Sequence, residues 1–182
     1  LAWGEQGFRH ITNNRVPFAT PDDLAGLKIR TMENPVHLEA FTALGAAPTP
    51  MAWPEVIPAL EQGAIDGQEN PLSVIVSAKL GEVQKYLSLD GHVYSPAIVM
   101  VSQKLWYSLD DTQKAAFEKA GDAAVVAMRG YVDNVEAQGV ETLKAQGMQV
   151  NTLTPKDQQA FQGQLAAVFV VFQKQFGNVV IY

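Results

Sequence analysis

The chain has 182 residues, of which 47% are hydrophobic and 18% are charged, a composition typical of a folded globular protein and not of a disordered one. The formal net charge is −6, which argues against a nucleic-acid-binding surface. Cysteine is absent, so disulfides and thiol chemistry are excluded. The longest apolar run, residues 165–172, is far too short to span a membrane.

The first part of the chain is predicted to alternate short strands with short helices. Apolar and polar residues alternate in FRHITN and in LKIRTM, which is typical of strands. Thr20 with Pro21, and Asn34 with Pro35, have the polar cap and the early proline of helix starts. The predicted elements are a strand at 8–13, a helical turn from Pro21, a strand at 27–32, a helix from Pro35 to Leu44, an extended piece at 46–51 and a helix at 53–62.

The sequence DGQENP, at residues 66–71, lies between two apolar helical stretches. A surface turn explains two or three of these residues. A turn does not require the row of Gln68, Glu69 and Asn70, which raises the question of whether a ligand docks at this stretch.

The second part of the chain contains the longest predicted helix. Apolar residues keep a helical period from Phe117 to Leu143, and Asp110 with Asp111 gives the helix an acidic start. A helix over residues 110–146 is about 50 Å long, which is enough to bridge two lobes. The other predicted elements here are an apolar stretch at 72–80, a buried strand at 93–102, a strand at 150–153 and a helix from Pro155 to Phe176.

This alternation of strands and helices predicts an α/β fold with substantial parallel pairing. No internal repeat and no low-complexity linker interrupts it. The order of the strands in the sheet does not follow from the pattern.

Most catalytic and metal chemistries find little support in the sequence. His10, His37 and His92 are far apart, and none has a second ligand at metal spacing, so we interpret them as surface or packed histidines. There is no nucleophile elbow and no phosphate-binding loop. An enzyme that uses Glu69 or Asp66 as a general acid or base stays open as an alternative.

Two arginines, an asparagine and a tryptophan are the remaining candidates for a binding site. Arg30 lies near the end of a predicted strand, where open α/β sheets place ligands, and a guanidinium such as that of Arg30 or Arg9 matches a carboxylate with two parallel hydrogen bonds. Asn70 can both donate to and accept from an acid group, and Trp53 can wall one side of a cleft. Each also has an ordinary explanation: a solvated strand end for Arg30, a side chain that caps its own turn for Asn70, and core packing for Trp53.

Several stretches, taken in order, resemble the periplasmic solute-binding proteins of TRAP transporters, the DctP-like family. The resemblance extends from residue 1 to about residue 147 and weakens beyond it. The stretches that carry it are GFR at 7–9 through NNR at 13–15, TPDDLAGLKIR at 20–30, LGA at 44–46, PMAWPEV at 50–56, DGQENP at 66–71 and EVQKYL at 82–87.

The resemblance implies a periplasmic-binding-protein-like fold, type II-like, in which two α/β lobes enclose a cleft and are tied by strands and one long helix. It implies a binding protein without a cofactor that captures a small organic acid in the periplasm and delivers it to the membrane permease subunits of a TRAP transporter. The family's clamping arginine falls on Arg30, its second arginine on Arg9 and its asparagine on Asn70. Its cleft aromatic falls on Trp53, where phenylalanine is more usual.

Two acidic residues next to this clamp receive supporting roles. Glu69 beside a bound anion is repulsive unless it orients an arginine, so we place it behind the clamp. Asp66 and Gly67 are expected to set a loop there, and Pro71 to start the next helix.

Family members are longer than this chain, and the opening strands and helices of their first lobe have no counterpart here. We therefore expect a C-terminal portion that lacks the N-terminal part of the two-lobe fold, and no signal peptide is visible. Residues 1–90 are expected to form mostly the second lobe with the clamp. Residues 91–182 are expected to supply a connecting strand, the long bridging helix at about 110–146 and the C-terminal helix.

The ligand expected from the resemblance is a four-carbon dicarboxylate such as malate or succinate, the family's commonest case. Uronates, other sugar acids and keto acids are competitors. Two alternatives of another class are a hydrolase-type enzyme and an acid-sensing domain of a receptor, for which the sequence gives little support.

Overall fold

The computed structural model of the chain describes residues 1–177. The strands within this range are β1 (Ala2–Asn13), β2 (Lys28–Thr31), β3 (Ala47–Pro50), β4 (Gly67–Pro71), β5 (Tyr86–Val99) and β6 (Gln149–Thr152). The α-helices are α1 (Pro35–Ala43), α2 (Trp53–Glu61), α3 (Leu72–Ser77), α4 (Gln103–Ser108), α5 (Asp111–Ala145) and α6 (Pro155–Phe176). The helical turn predicted from Pro21 is a short 3-10 helix, Pro21–Leu24, and the other elements predicted before residue 62 are confirmed.

The six strands of the described range form one mixed sheet, in the order β3-β2-β4-β1-β5-β6. β2 runs parallel to β3 and to β4, and β5 runs parallel to β6. β1 is antiparallel to its neighbours β4 and β5. The predicted α/β fold with parallel pairing is therefore confirmed. Because β2 and β4 are parallel, their carboxyl ends meet at one edge of the sheet, where such sheets place ligands.

Helices cover both faces of the sheet and divide the core into two clusters. On one face, α2, α3 and α5 contribute Leu60, Leu72 and Leu143 to a buried apolar cluster. On the other face, Phe41 of α1 and Phe161 of α6 belong to a second cluster. Burial of these side chains is the main stabilising term, and it fixes the strands on which the polar side chains of the sheet edge are placed.

β1 and β5 extend beyond the other strands as a two-stranded ribbon. β4 pairs with β1 only from Arg9 to Asn13, and β6 pairs with β5 only from Tyr86 to Leu89. The buried strand predicted at 93–102 is the outer part of β5, whose side chains from 93 to 99 are exposed or half-buried. Its apolar sequence suggested burial, but the ribbon is covered by α5 on one face only, so that prediction is wrong.

The long helix predicted at 110–146 is α5, which has 35 residues and a length of about 50 Å. The side chain of Asp110 caps it by accepting a hydrogen bond from the backbone N–H of Gln113 at 2.8 Å. The region predicted at 91–182 extends beyond the described residues, since residues 178–182 lie outside them. No helix between residues 1 and 177 combines the length and the apolar composition needed to cross a bilayer.

Candidate ligand-binding site

The stretch DGQENP, expected to contain a loop, forms a buried strand. β4 covers Gly67–Pro71, and all of these residues are buried; α3 follows directly from Leu72. The prediction of a loop is wrong, because it treated polar side chains as a sign of solvent exposure. Polar side chains can be buried where they have hydrogen-bond partners inside the protein. Here Gln68, Glu69 and Asn70 all form hydrogen bonds inside the protein, which removes most of the cost of burying them.

Arg30 is a buried guanidinium held by one backbone carbonyl. It is 5% exposed, and its Nε and Nη2 atoms donate to the carbonyl oxygen of Met51 at 2.9 and 2.6 Å. Among the described residues it forms no ion pair, and burial lowers the pKa of Arg30 below its ordinary value. Its Nη1 hydrogens have no partner in the described chain, so an anion is the natural complement of this group.

Trp53 lies beside this guanidinium. It is the first residue of α2, and its ring centroid is 5.7 Å from Cζ of Arg30. Trp53 is 37% exposed, so core packing does not explain its position. The ring walls one side of the space around Arg30 and contributes a cation–π contact.

Arg9 and Glu69 form a buried bidentate ion pair. Arg9 Nε lies 2.5 Å from Oε2 of Glu69, and Nη2 lies 2.9 Å from Oε1. Nη2 also donates to the carbonyl oxygen of Glu69 and to Oδ1 of Asn70, and Nη1 donates to Oγ of Ser95 at 3.1 Å. Glu69 therefore orients Arg9, and one of the two Nη1 hydrogens is left for a ligand.

Asn70 completes the group at the carboxyl edge of the sheet. Its Oδ1 accepts from Arg9 at 3.1 Å and its Nδ2 donates to Oε1 of Gln68 at 2.5 Å, so one Nδ2 hydrogen remains. Arg30 lies opposite Gln68 in the parallel pair of β2 and β4. The free N–H groups of Arg30, Arg9 and Asn70 thus share one edge, which we call the donor edge, and such a set suits an anion.

Asp66, the other acid placed behind the clamp, lies at the opposite end of β4. Its Oδ2 accepts from the backbone N–H of Lys28 at 2.9 Å, and its Oδ1 lies 3.6 Å from Nε of Arg15. Asn70 is four residues further along, about 13 Å away at 3.3 Å per strand residue. Asp66 therefore ties the amino ends of β2 and β4 together and does not support the donor edge.

Three histidines that are distant in sequence converge on two carboxylates next to Arg9. His92 Nε2 lies 3.2 Å from Oε2 of Glu69, and its Nδ1 lies 2.7 Å from Oδ2 of Asp90. His10 Nδ1 lies 3.6 Å from Asp90, and His37 Nδ1 lies 4.0 Å from Glu69. The histidines are packed and linked to one another, which their spacing in the sequence does not indicate. Within residues 1–177 no group of three or more His, Asp or Glu side chains is arranged to hold a metal ion.

The two carboxylates keep His92 in its charged form. Burial alone lowers the pKa of His92, but Asp90 and then Glu69 raise it to about 9. Burial likewise raises the pKa of Glu69, yet hydrogen bonds from His92 and Arg9 leave it below its ordinary value. Arg9, Glu69, His92 and Asp90 therefore alternate in charge and are ionised together at neutral pH.

The free energy of unfolding should fall as the pH rises through the pKa of His92. A histidine pKa raised from 6.5 to about 9 contributes stability that is complete below about pH 6.5 and is lost as the pH passes about 9, in total about 3 kcal/mol. His92→Gln should lack this fall, because glutamine does not titrate. Urea unfolding between about pH 6 and 10 measures both proteins, and an equal fall in the variant would exclude His92 as its source.

A cavity of about 300 Å³ lies elsewhere on the sheet, between α1, β5 and α6. Its walls are mainly apolar and include Phe41 and Phe161, with Asp90 and His92 at one side. Neither Arg30 nor Asn70 lines it, so this cavity is separate from the donor edge.

Residues 1–175 of the chain, which include the whole donor edge, match the family described as bacterial extracellular solute-binding protein, family 7 (DctP). The chain belongs to this family. Family 7 is a family of solute-binding proteins and not of enzymes, and the expected DctP-like membership is confirmed.

Three relatives show how closely the chain follows family 7. The 2,3-diketo-L-gulonate-binding periplasmic protein YiaO of Escherichia coli is 39% identical over 165 residues, which are 91% of this chain and 50% of that protein. A TRAP periplasmic solute-binding protein of Bordetella bronchiseptica, with density assigned to pantoate, is 55% identical with a TM-score of 0.92, and the match covers 97% of this chain and 58% of that one. Another, from Polaromonas sp. JS666 and bound to D-erythronate, is 47% identical with a TM-score of 0.92, over 97% of this chain and 57% of that one.

These matches confirm the periplasmic-binding-protein-like fold and its partial extent. The chain spans about half the length of the curated relatives it matches.

Proposed function

We propose that the protein carrying this chain captures an organic acid in the periplasm and delivers it to the membrane permease subunits of a TRAP transporter. One observation carries the proposal: Arg30 is 5% exposed and, among residues 1–177, its guanidinium has no ion-pair partner. An unpaired buried charge is costly. A carboxylate that enters the site removes this cost and forms charge-assisted hydrogen bonds in its place.

The donor edge supplies enough interactions for a useful affinity. Arg30 grips the carboxylate, while Asn70 and Arg9 each donate one further N–H. Charge-assisted hydrogen bonds contribute about 1.5–3 kcal/mol each, so three or four of them supply most of the roughly 8 kcal/mol that corresponds to micromolar affinity. Trp53 covers the site from one side.

A sugar acid or a related hydroxy or keto monocarboxylate is the proposed class of solute. The three relatives are named or described with 2,3-diketo-L-gulonate, pantoate and D-erythronate, each of which has one carboxylate beside an oxygen-bearing carbon. A dicarboxylate requires a second cationic group, but the charge of Arg9 is already paired with Glu69. The other two arginines of the chain, Arg15 and Arg129, are exposed. The four-carbon dicarboxylate expected from the resemblance is therefore the second candidate.

We propose different roles for the two parts of the chain, based on the position of the donor edge. Residues 1–90 form mostly the lobe that carries this edge, and residues 91–182 supply the connecting strand, α5 and the C-terminal helix. The part of the relatives that the chain does not match, more than 40% of each solved structure, forms the opposite wall of the cleft. Lobe closure over the acid then buries Trp53 further and desolvates the carboxylate.

Thermal unfolding of the complete natural polypeptide with a panel of acids tests this function. Ligand bound only to the folded form, at about 100 times its Kd, adds about 2.7 kcal/mol to the free energy of unfolding. D-Erythronate, pantoate or another hydroxy monocarboxylate should raise Tm more than succinate or malate. A largest shift with succinate or malate would establish the dicarboxylate class, and no shift with any acid would contradict the proposed function.

A further inference from the structure

A line of buried hydrogen bonds runs from Asn70 into the sheet. Asn70 Nδ2 donates to Oε1 of Gln68 at 2.5 Å, and Gln68 Nε2 donates to Oγ1 of Thr12 at 2.9 Å. The hydroxyl of Thr12 then donates to Oε1 of Gln84 at 2.8 Å. Gln68 and Thr12 are fully buried and Gln84 is 3% exposed. We call Gln68, Thr12 and Gln84 the amide relay.

Strand geometry explains why these side chains meet. Asn70 and Gln68 are two residues apart on β4, so their side chains leave the same face of the sheet. Thr12 of β1 is the direct cross-strand partner of Gln68, and such partners lie side by side on one face. Gln84 comes from the turn before β5 and closes the line.

The guanidinium of Arg9, at one end of this line of hydrogen bonds, determines the direction in which the bonds are donated. Arg9 can only donate, so Asn70 presents its Oδ1 to Nη2 of Arg9, 3.1 Å away. The Nδ2 of Asn70 must then face Gln68, which accepts through Oε1 and is left with its Nε2 hydrogens for Thr12.

Backbone carbonyls at the other end fix the same direction independently. Nε2 of Gln84 lies 3.3 Å from the carbonyl oxygen of Val83 and 3.4 Å from that of Asp66, and carbonyls only accept. Gln84 therefore presents Oε1 to the hydroxyl of Thr12. All donors point the same way along the line, so each bond strengthens the next.

We propose that Gln68, Thr12 and Gln84 are positioning residues that hold the Asn70 amide with its free N–H towards a bound carboxylate. An amide that turns over by 180° presents its oxygen to the anion, which is repulsive. The relay makes that orientation unfavourable, since it would break the bonds to Arg9 and Gln68 together. This inference rests on the proposed function, because it gives Asn70 a carboxylate to bind.

Thr12→Val tests the relay by removing one hydroxyl at constant shape. Binding of D-erythronate to the complete natural polypeptide, measured by calorimetry, should weaken about 5-fold. Thr12→Ser keeps the hydroxyl and should bind within about 2-fold of wild type. Thr31→Val is the matched control, because Thr31 is a fully buried threonine of β2 whose hydroxyl has no hydrogen-bond partner within the described chain. It should also bind within about 2-fold.

A double-mutant cycle separates positioning from a general structural effect. If Thr12 acts through Asn70, Thr12→Val should cause no further loss of affinity in an Asn70→Ala background. Equal losses in the two backgrounds would overturn the relay. If Thr12→Val does not fold, Gln84→Met removes the next link instead and carries the same expectation.

A measurement without ligand distinguishes failure of the relay from failure of the proposed function. In nitrogen-15 NMR spectra of the ligand-free protein, Thr12→Val should shift the side-chain amide signals of Asn70 and speed their hydrogen exchange, whereas Thr12→Ser and Thr31→Val should not. An unchanged Asn70 amide in Thr12→Val overturns the relay whatever the ligand. Wild-type protein that binds no acid contradicts the proposed function alone.

Discussion

Replacing Arg30 by lysine should weaken the binding of D-erythronate by about 10-fold or more, because lysine keeps the charge but loses the planar fork. Arg30 uses Nε and Nη2 to hold the carbonyl of Met51 while Nη1 stays free, and one ammonium group cannot do both. Replacement by methionine removes the charge as well and should cost about 100-fold. Calorimetry on the complete natural polypeptide measures both losses.

Arg15 provides the control for this experiment. Its side chain is 68% exposed and its Nε lies 3.6 Å from Asp66, at the end of β4 away from the donor edge. Arg15→Lys should leave the affinity unchanged. If Arg30→Lys binds the acid as tightly as wild type, Arg30 is not part of the site and the proposed function loses its main support.

Gly67→Ala should lower the free energy of unfolding by about 4 kcal/mol or more, or prevent folding. A Cβ at residue 67 would collide with the carbonyl oxygen of Thr12 and would lie 2.8 Å from Cβ of Asn13. Both atoms belong to β1, which is directly paired with Gly67 through Asn13. Neither strand can move away without breaking that pairing. Urea unfolding, or the yield of folded protein, measures the effect.

Gly130 in α5 is the matched control for Gly67, since a Cβ there meets nothing within 4 Å. Gly130→Ala should be neutral or raise stability by up to about 1 kcal/mol, as expected for alanine in an exposed helix position. A loss of less than about 1 kcal/mol in Gly67→Ala would show that β1 and β4 can separate locally, which would contradict the close contact described for Gly67 and β1.

Elements with strong local signals could be predicted from the sequence. The acidic cap at Asp110 and the helical period that follows define α5 without any tertiary information. β4 could not be predicted in this way, because its burial depends on partners that are remote in sequence. Glu69 is neutralised by Arg9, which is 60 residues away, and no local pattern reports such a pair.

The residues of the donor edge could be only partly predicted from the sequence. From the residues alone, Arg30, Asn70 and Trp53 each kept an ordinary explanation, and it was the resemblance to a family that assigned them to one site. Most of the residues that hold the donor edge in place could not be predicted from the sequence. Ser95 meets Arg9 across 86 residues, and the hydrogen bond from Thr12 to Gln84 spans 72. Gln68 is the exception, since its place two residues before Asn70 puts both side chains on one face once a strand is assumed.

In the ribbon of β1 and β5, residues 2–8 and 93–99 pair with each other and, within the described residues, with no other strand. Its exposed side chains include Trp3, Phe8, Tyr94 and Ile98. Open strand edges beside exposed aromatic rings are the template on which aggregates and amyloid-like stacks grow. We therefore expect the ribbon to promote self-association of this polypeptide in concentrated solution, next to the donor edge, because Ser95 of the ribbon accepts a hydrogen bond from Arg9.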